Sequence, residues 1–170
     1  MSTPSTVFAK LAKETIAAAF KGKDPEPSPS HELTARAACF VSLHTSDGSL
    51  RGCIGTLEPR KPSLYEEIKT NALSAAFNDP RFPPVSEEEV EDLEISVDIL
   101  HKPEPITSES ELDPDIYGVI IESGYKRGVL LPNIPSVTTI EEQLRIVRRK
   151  AGIFPEEKVR LYRFMVDRYY

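Results

Sequence analysis

Apolar positions along this chain change their period several times, and each change marks an element. Val7, Phe8, Leu11, Ala12, Ile16, Ala19 and Phe20 recur at three- and four-residue intervals, which predicts a first helix ending near Gly22. A Pro-rich linker over residues 22–31 follows. Ala37 to Leu43 and Leu50 to Leu57 then read as two strands joined across Thr45-Ser46-Asp47-Gly48-Ser49, where Asp-Gly is a hairpin signal. Ser63 with Glu66 gives a capping-box pattern for a helix running to about Phe77, with Leu64, Ile68, Ala72 and Ala75 on its apolar stripe. Leu93, Ile95, Val97 and Ile99 alternate with Glu94, Ser96 and Asp98, the pattern of a strand buried on one side. Tyr117 to Glu122 and Gly128 to Leu131 predict a second hairpin around Ser123-Gly124. Thr138 with Glu141 predicts the cap of a last helix striped by Ile140, Leu144, Val147 and Ala151 and ended by Gly152. Val159 to Val166 closes the series as one strand.

This order lacks the regular strand-helix alternation of a doubly wound parallel sheet. It predicts an α+β fold with a mostly antiparallel sheet, helices on one face and the other face partly open. At 170 residues and 39% hydrophobic content, the length suits one domain or two intimately packed lobes. No apolar run reaches membrane-spanning length and the N-terminus has no basic start followed by an apolar stretch, so a cytoplasmic protein is expected. Two cysteines and three histidines, without metal-type spacing, predict no metal site.

The net charge of −6 argues against nonspecific coating of nucleic acid, although the charge is uneven. Arg145 to Tyr170 holds eight Lys/Arg and three acids, so this segment is +5 and the remainder −11. Strand alternation splits those cations between two sides, and no tight sequence-independent binding to duplex DNA or RNA is expected.

The first hairpin fixes which side chains share a face. With Asp47-Gly48 central in the turn, Phe40 lies opposite Gly55, Ser42 opposite Cys53 and His44 opposite Arg51. Cys39, Val41, Leu43, Gly52 and Ile54 then form a core face. Phe40, Ser42, His44, Arg51, Cys53 and Gly55 form a mixed polar face. The two cysteines fall on opposite faces and cannot form a disulfide, and Cys53 is the one a ligand or reagent reaches.

Arg51-Gly52-Cys53-Ile54-Gly55 is an unusual strand, since glycines inside strands mark bulges or places where a backbone or ligand comes close. A thiol becomes a nucleophile when its pKa is lowered, and Arg51 or His44 is placed to do this for Cys53, the candidate catalytic residue. The other reading of Cys53 is a small core hydrophobe. A second group is Asn71, beside the helix stripe, with Asp79 and Arg81 in the loop Asp79-Pro80-Arg81-Phe82. Asn71 either pins a carbonyl or faces a ligand. Arg81 either clamps a phosphate or carboxylate or pairs with Asp79.

Arg51-Gly52-Cys53-Ile54-Gly55-Thr56, then Asn71 to Phe77 with Asp79-Pro80-Arg81-Phe82-Pro83, Glu94-Ile95-Ser96-Val97, Gly118-Val119, Leu130-Leu131-Pro132 and Lys150-Ala151-Gly152 occur here in one order. In this the sequence resembles the AMMECR-one domain family over nearly its whole length. One departure is the stretch after Leu131-Pro132, where family members often carry a longer segment with a Gly-Trp pair and this chain reads Asn133-Ile134-Pro135-Ser136-Val137. The resemblance implies a single domain over residues 1–170 built of a larger and a smaller lobe with a groove between them, and it implies no particular reaction or cofactor. Three functional classes stay open. One is binding, or turnover, of a small or nucleotide-like ligand in a groove lined by Arg51, Gly52, Cys53, Gly55, Asn71, Asp79 and Arg81. Another is a protein-interaction module, the resemblance implying Memo-like and radical-SAM proteins as partners. The third is a structural adaptor.

Overall fold

The computed structural model describes residues 4–25 and 30–170, so residues 26–29 of the expected linker lie outside the described residues. Three α-helices and two antiparallel four-stranded sheets are formed among the described residues, an α+β fold. They divide into two units, Met1–Leu100 with Asp167–Tyr170, and His101–Val166.

In the first unit the strands are β1 (Cys39–His44), β2 (Leu50–Gly55), β3 (Glu94–Leu100) and β8 (Val166–Tyr169), in the order β2-β1-β3-β8. Helix α1 (Val7–Phe20) starts where the Thr6 hydroxyl accepts the Ala9 N–H, and Gly22 follows its end at φ 62°. Helix α2 (Leu64–Phe77) is capped by Ser63 as the sequence predicts. Both helices contact the same sheet, and α1 contacts β3 while α2 contacts β1 and β2. Ile16, Ile68, Val41, Leu43 and Val97 are fully buried in this core. Each such side chain contributes about 1.5–3 kcal/mol relative to exposure.

The second unit holds β4 (Glu104–Ile106), β5 (Gly118–Ser123), β6 (Lys126–Leu130) and β7 (Arg160–Phe164) in the order β4-β7-β5-β6, with helix α3 (Ile140–Ala151) on its core. Ser123 pairs with Lys126, so Gly124 and Tyr125 make a two-residue turn with Gly124 at φ 58°. Gly128 lets α3 settle onto β6, because a Cβ there would stand 2.8 Å from the Val147 carbonyl.

Four expectations are corrected. Thr139, not Thr138, caps α3: its hydroxyl accepts the Glu142 N–H, while the Glu142 carboxylate reaches back to the Thr138 N–H and hydroxyl. The closing segment is two strands, because β7 pairs with β4 and β5 whereas β8 joins β3 in the other sheet. The polar side of β3 is not solvated, Ser96 and Asp98 being 5% and 1% exposed; the Asp98 carboxylate is held by two guanidinium nitrogens of Arg168 at 2.7 and 2.8 Å. Finally, a bulge between Leu43 and His44 puts His44 opposite Leu50, so Arg51 does not face it. Its cause is the wider turn, in which the Asp47 carboxylate takes the Thr45 hydroxyl and Ser49 N–H and Gly48 sits at φ 83°.

Candidate site at the edge of strand β2

Upstream of the bulge the predicted register holds, with Phe40 opposite Gly55 and Ser42 opposite Cys53. Cys39, Val41 and Leu43 are therefore fully buried under α2, and Cys53 is half-buried on the opposite face. The Ser42 hydroxyl donates to the Cys53 Sγ at 3.2 Å.

Strand β2 is an edge strand, and such edges need their outward backbone groups occupied. At Cys53 two side chains do this. The Asp79 carboxylate accepts the Cys53 N–H at 3.0 Å, and Arg81 Nη2 donates to the Cys53 carbonyl at 3.2 Å. Asp79 and Arg81 also bind each other, Nε at 3.0 Å and Nη2 at 2.8 Å, and Asp79 accepts the Arg81 N–H as well. The Asp79 side chain is 2% exposed and that of Arg81 is 54% exposed. Hydrogen bonds from Arg81 hold the Asp79 carboxyl well below the usual carboxylate range, against the opposing effect of burial. The Arg81 charge in turn lies near enough to interact electrostatically with Cys53.

The other predicted site residues are placed differently. Arg51 Nε and Nη2 bind both carboxylate oxygens of Glu89, and Nη1 and Nη2 donate to the Pro83 and Pro84 carbonyls. Its side chain is 11% exposed, so it fastens the loop after α2 to β2. Asn71 is 3% exposed on the helix side of the sheet, where Nδ2 donates to the Cys39 carbonyl at 2.9 Å. Gly52 faces the Ala75 carbonyl of α2, and Gly55 lies against the Phe40 ring. The structure thus brings Cys53, Asp79 and Arg81 together with Ser42, and sets Asn71 and Gly52 on the core face.

Two features went unread in the sequence. Glu67 is 1% exposed and accepts the Thr56 hydroxyl and the Arg60 and Lys61 N–H groups, organising the loop after β2. Its position three residues after Leu64 and four before Asn71, along the apolar stripe, was the available signal. The Asp98–Arg168 pair joins segments 70 residues apart and leaves no local signature. Among the described residues no group of three or more His, Cys, Asp or Glu could hold a metal ion, and no helix is long and apolar enough to cross a membrane.

Asp79 and His44 give stability the same pH dependence. Burial and Arg168 lower the His44 pKa from 6.5, and Asp79 is lowered as above. In both cases the unfolded chain binds more protons, so stability is present above the unfolded pKa and is lost as pH falls through the folded one. Urea midpoints should fall below about pH 6.5 in a shallow step absent from His44→Gln, and again below about pH 4 in a step reduced in Asp79→Asn.

The AMMECR1 family model matches residues 9–169. The chain belongs to the AMMECR1 family. A Thermotoga maritima protein is 56% identical over 149 residues, covering 86% of this chain and 85% of that one. A Clostridium acetobutylicum protein is 43% identical over 167 residues, which is 95% of this AMMECR1 chain but only 35% of that longer protein. The crystal structure of an uncharacterized protein from Pyrococcus horikoshii matches with a TM-score of 0.86 at 33% identity, covering 95% of this chain and 88% of that chain.

Proposed function

We propose that this AMMECR1 protein binds a small anionic ligand, a carboxylate or a nucleotide-like phosphate, at the β2 edge, with Arg81 as the cation and the Cys53 thiol beside it. The observation that carries this reading is the state of Arg81. A buried carboxylate holds Nε and Nη2 in a fixed plane, yet the side chain is half exposed, which leaves the Nη1 donors outside the pair. An arginine oriented in this way needs little reorganisation to meet an anion. The Arg81 charge interacts with Cys53 and the Ser42 hydroxyl donates to its Sγ, so nucleophilic chemistry at that sulfur belongs to the same reading.

Alkylation of Cys53 by iodoacetate and by iodoacetamide tests the reading, since the two reagents differ chiefly in charge. The iodoacetate-to-iodoacetamide rate ratio should fall about fivefold in Arg81→Gln, the effect of one charge at a few Å in a water-like medium. Inorganic phosphate or AMP should slow iodoacetate in the wild type alone. An unchanged ratio with no protection, in a variant that still melts cooperatively, would reduce Arg81 to a brace for the strand edge.

A further inference from the structure

Within the His101–Val166 unit, strand β6 is an outer strand of its sheet and pairs with β5 alone. The two-residue turn at Gly124-Tyr125 makes Ser123 and Lys126 the first hydrogen-bonded pair of the hairpin, so Lys126, Gly128 and Leu130 direct their backbone groups to β5. Arg127 and Val129 therefore aim theirs outward. The Lys150 ammonium of α3 agrees with this direction, donating to the Val129 carbonyl at 2.8 Å. Among the described residues nothing meets the Val129 N–H, or the N–H and carbonyl of Arg127. By contrast, the β2 edge is closed at Cys53 by Asp79 and Arg81, and β4 is three residues long with Pro105 at its middle. A strand edge left open in this way is a template for one more strand.

We propose that β6 takes up an extended acidic peptide of a partner protein as a fifth, antiparallel strand of this four-stranded sheet. Antiparallel addition matches every pairing already present there, and it hydrogen-bonds the peptide residues opposite Arg127 and Val129. Charge decides the kind of peptide. On the sheet face away from α3, Arg127 shares the Glu122 carboxylate with Arg160, each at 3.3 Å, which leaves one guanidinium charge in excess. On the α3 face Lys150 stands at the edge itself, and Arg149 beside it is exposed. Side chains of the added strand alternate between these two faces. An acid opposite Arg127 falls on the Arg127 side and an acid opposite Gly128 on the Lys150 side, while an apolar residue suits the half-buried Val129. A second copy of β6 would instead bring Arg127 and Lys150 against their own duplicates, and like charges across a strand pair disfavour it. This edge shares no residue with the site at Cys53 and does not rest on the reading given for it.

The probe is the acetylated and amidated peptide Ser-Thr-Val-Glu-Glu-Thr-Ser, titrated into the full chain by fluorescence anisotropy, with amide hydrogen exchange followed by NMR. In antiparallel register its valine lies opposite Val129 and its two glutamates opposite Gly128 and Arg127. Saturable binding should slow exchange at the Arg127 and Val129 amides and leave those of Lys126, Gly128 and Leu130, already bonded to β5, unchanged. N-methylation of the peptide's valine or second glutamate removes a donor to the edge and should weaken binding about fivefold. The same change at the first glutamate, whose N–H points away, should not. Lysine in place of both glutamates should abolish binding, and Arg127→Gln should weaken it about fivefold. Val129→Pro removes an outward N–H without removing a bond to β5, so it should weaken binding in a protein that still melts cooperatively. Arg81→Gln should change nothing. Equal affinity for the lysine peptide, equal loss from all three N-methyl positions, or no saturation at millimolar peptide would overturn the proposal. So would Arg127 and Val129 amides already protected in a dimer of the free chain.

Discussion

Limited alkylation of the native protein with iodoacetamide at neutral pH is expected to label Cys53 and to spare Cys39 by a factor of at least about a thousand. Cys39 is fully buried beneath α2, and burial pushes its thiol up to about 12, with the Asn71 amide against it at 3.5 Å. A reagent reaches it only when the helix and sheet separate. For a domain of ordinary stability, about 5 kcal/mol or more, that opening is populated below about one part in a thousand. Cys53 needs no such opening, being half-buried on the other face with the Arg81 charge beside it. Peptide mass spectrometry at early time points gives the ratio directly. Comparable labelling of both cysteines would mean that the strand register is wrong, and the site at the β2 edge would go with it.

The faces of the hairpin were legible because period-two alternation and an Asp-Gly turn are local signals, and both act within residues 39–55. The bulge before His44 was not. It follows from how many residues the Asp47 carboxylate gathers into the turn, and Asp-Gly alone does not fix that number. The sheet-facing position of Asn71 on α2 could be read from its place beside Ile68, but its acceptor, the Cys39 carbonyl 32 residues earlier, could not. The same limit applies to Arg51 and Arg81. Arg81 offered two readings in the sequence, an anion clamp or an ion pair with Asp79, while Arg51 was read as a positive charge beside Cys53. The choice depended on Glu89, 38 residues from Arg51, and on whether Asp79 turned toward Cys53. The break at Met165 carries no Gly or Pro, and Pro105 hid the short strand β4, since Pro within a run argues against a strand.

Gly52→Ala is expected to be the most damaging single substitution in the Cys53 motif, costing about 3 kcal/mol or more. A Cβ at this position would lie 2.3 Å from the Ala75 carbonyl oxygen and 3.1 Å from its carbon. Both atoms belong to the backbone of α2, which cannot rotate aside as a side chain does. The helix would have to lift off the sheet, loosening Ile68, Ala72 and Ala76, which lie in one buried cluster with Val41 and Leu43. In a domain of this size such a cost lowers the melting temperature by roughly 10 °C. Gly48→Ala is the control, since nothing lies within 4 Å of its Cβ position and only its positive φ is strained; that costs about 1 kcal/mol. Ala75→Gly should not rescue Gly52→Ala, because the obstructing oxygen is main chain. A Gly52→Ala protein melting within about 2 °C of wild type would show that α2 does not rest on β2. If the expected loss is seen, a binding defect in any Gly52 variant reports the seating of the helix, and Arg81 is the residue at which ligand contact can be tested separately from the fold.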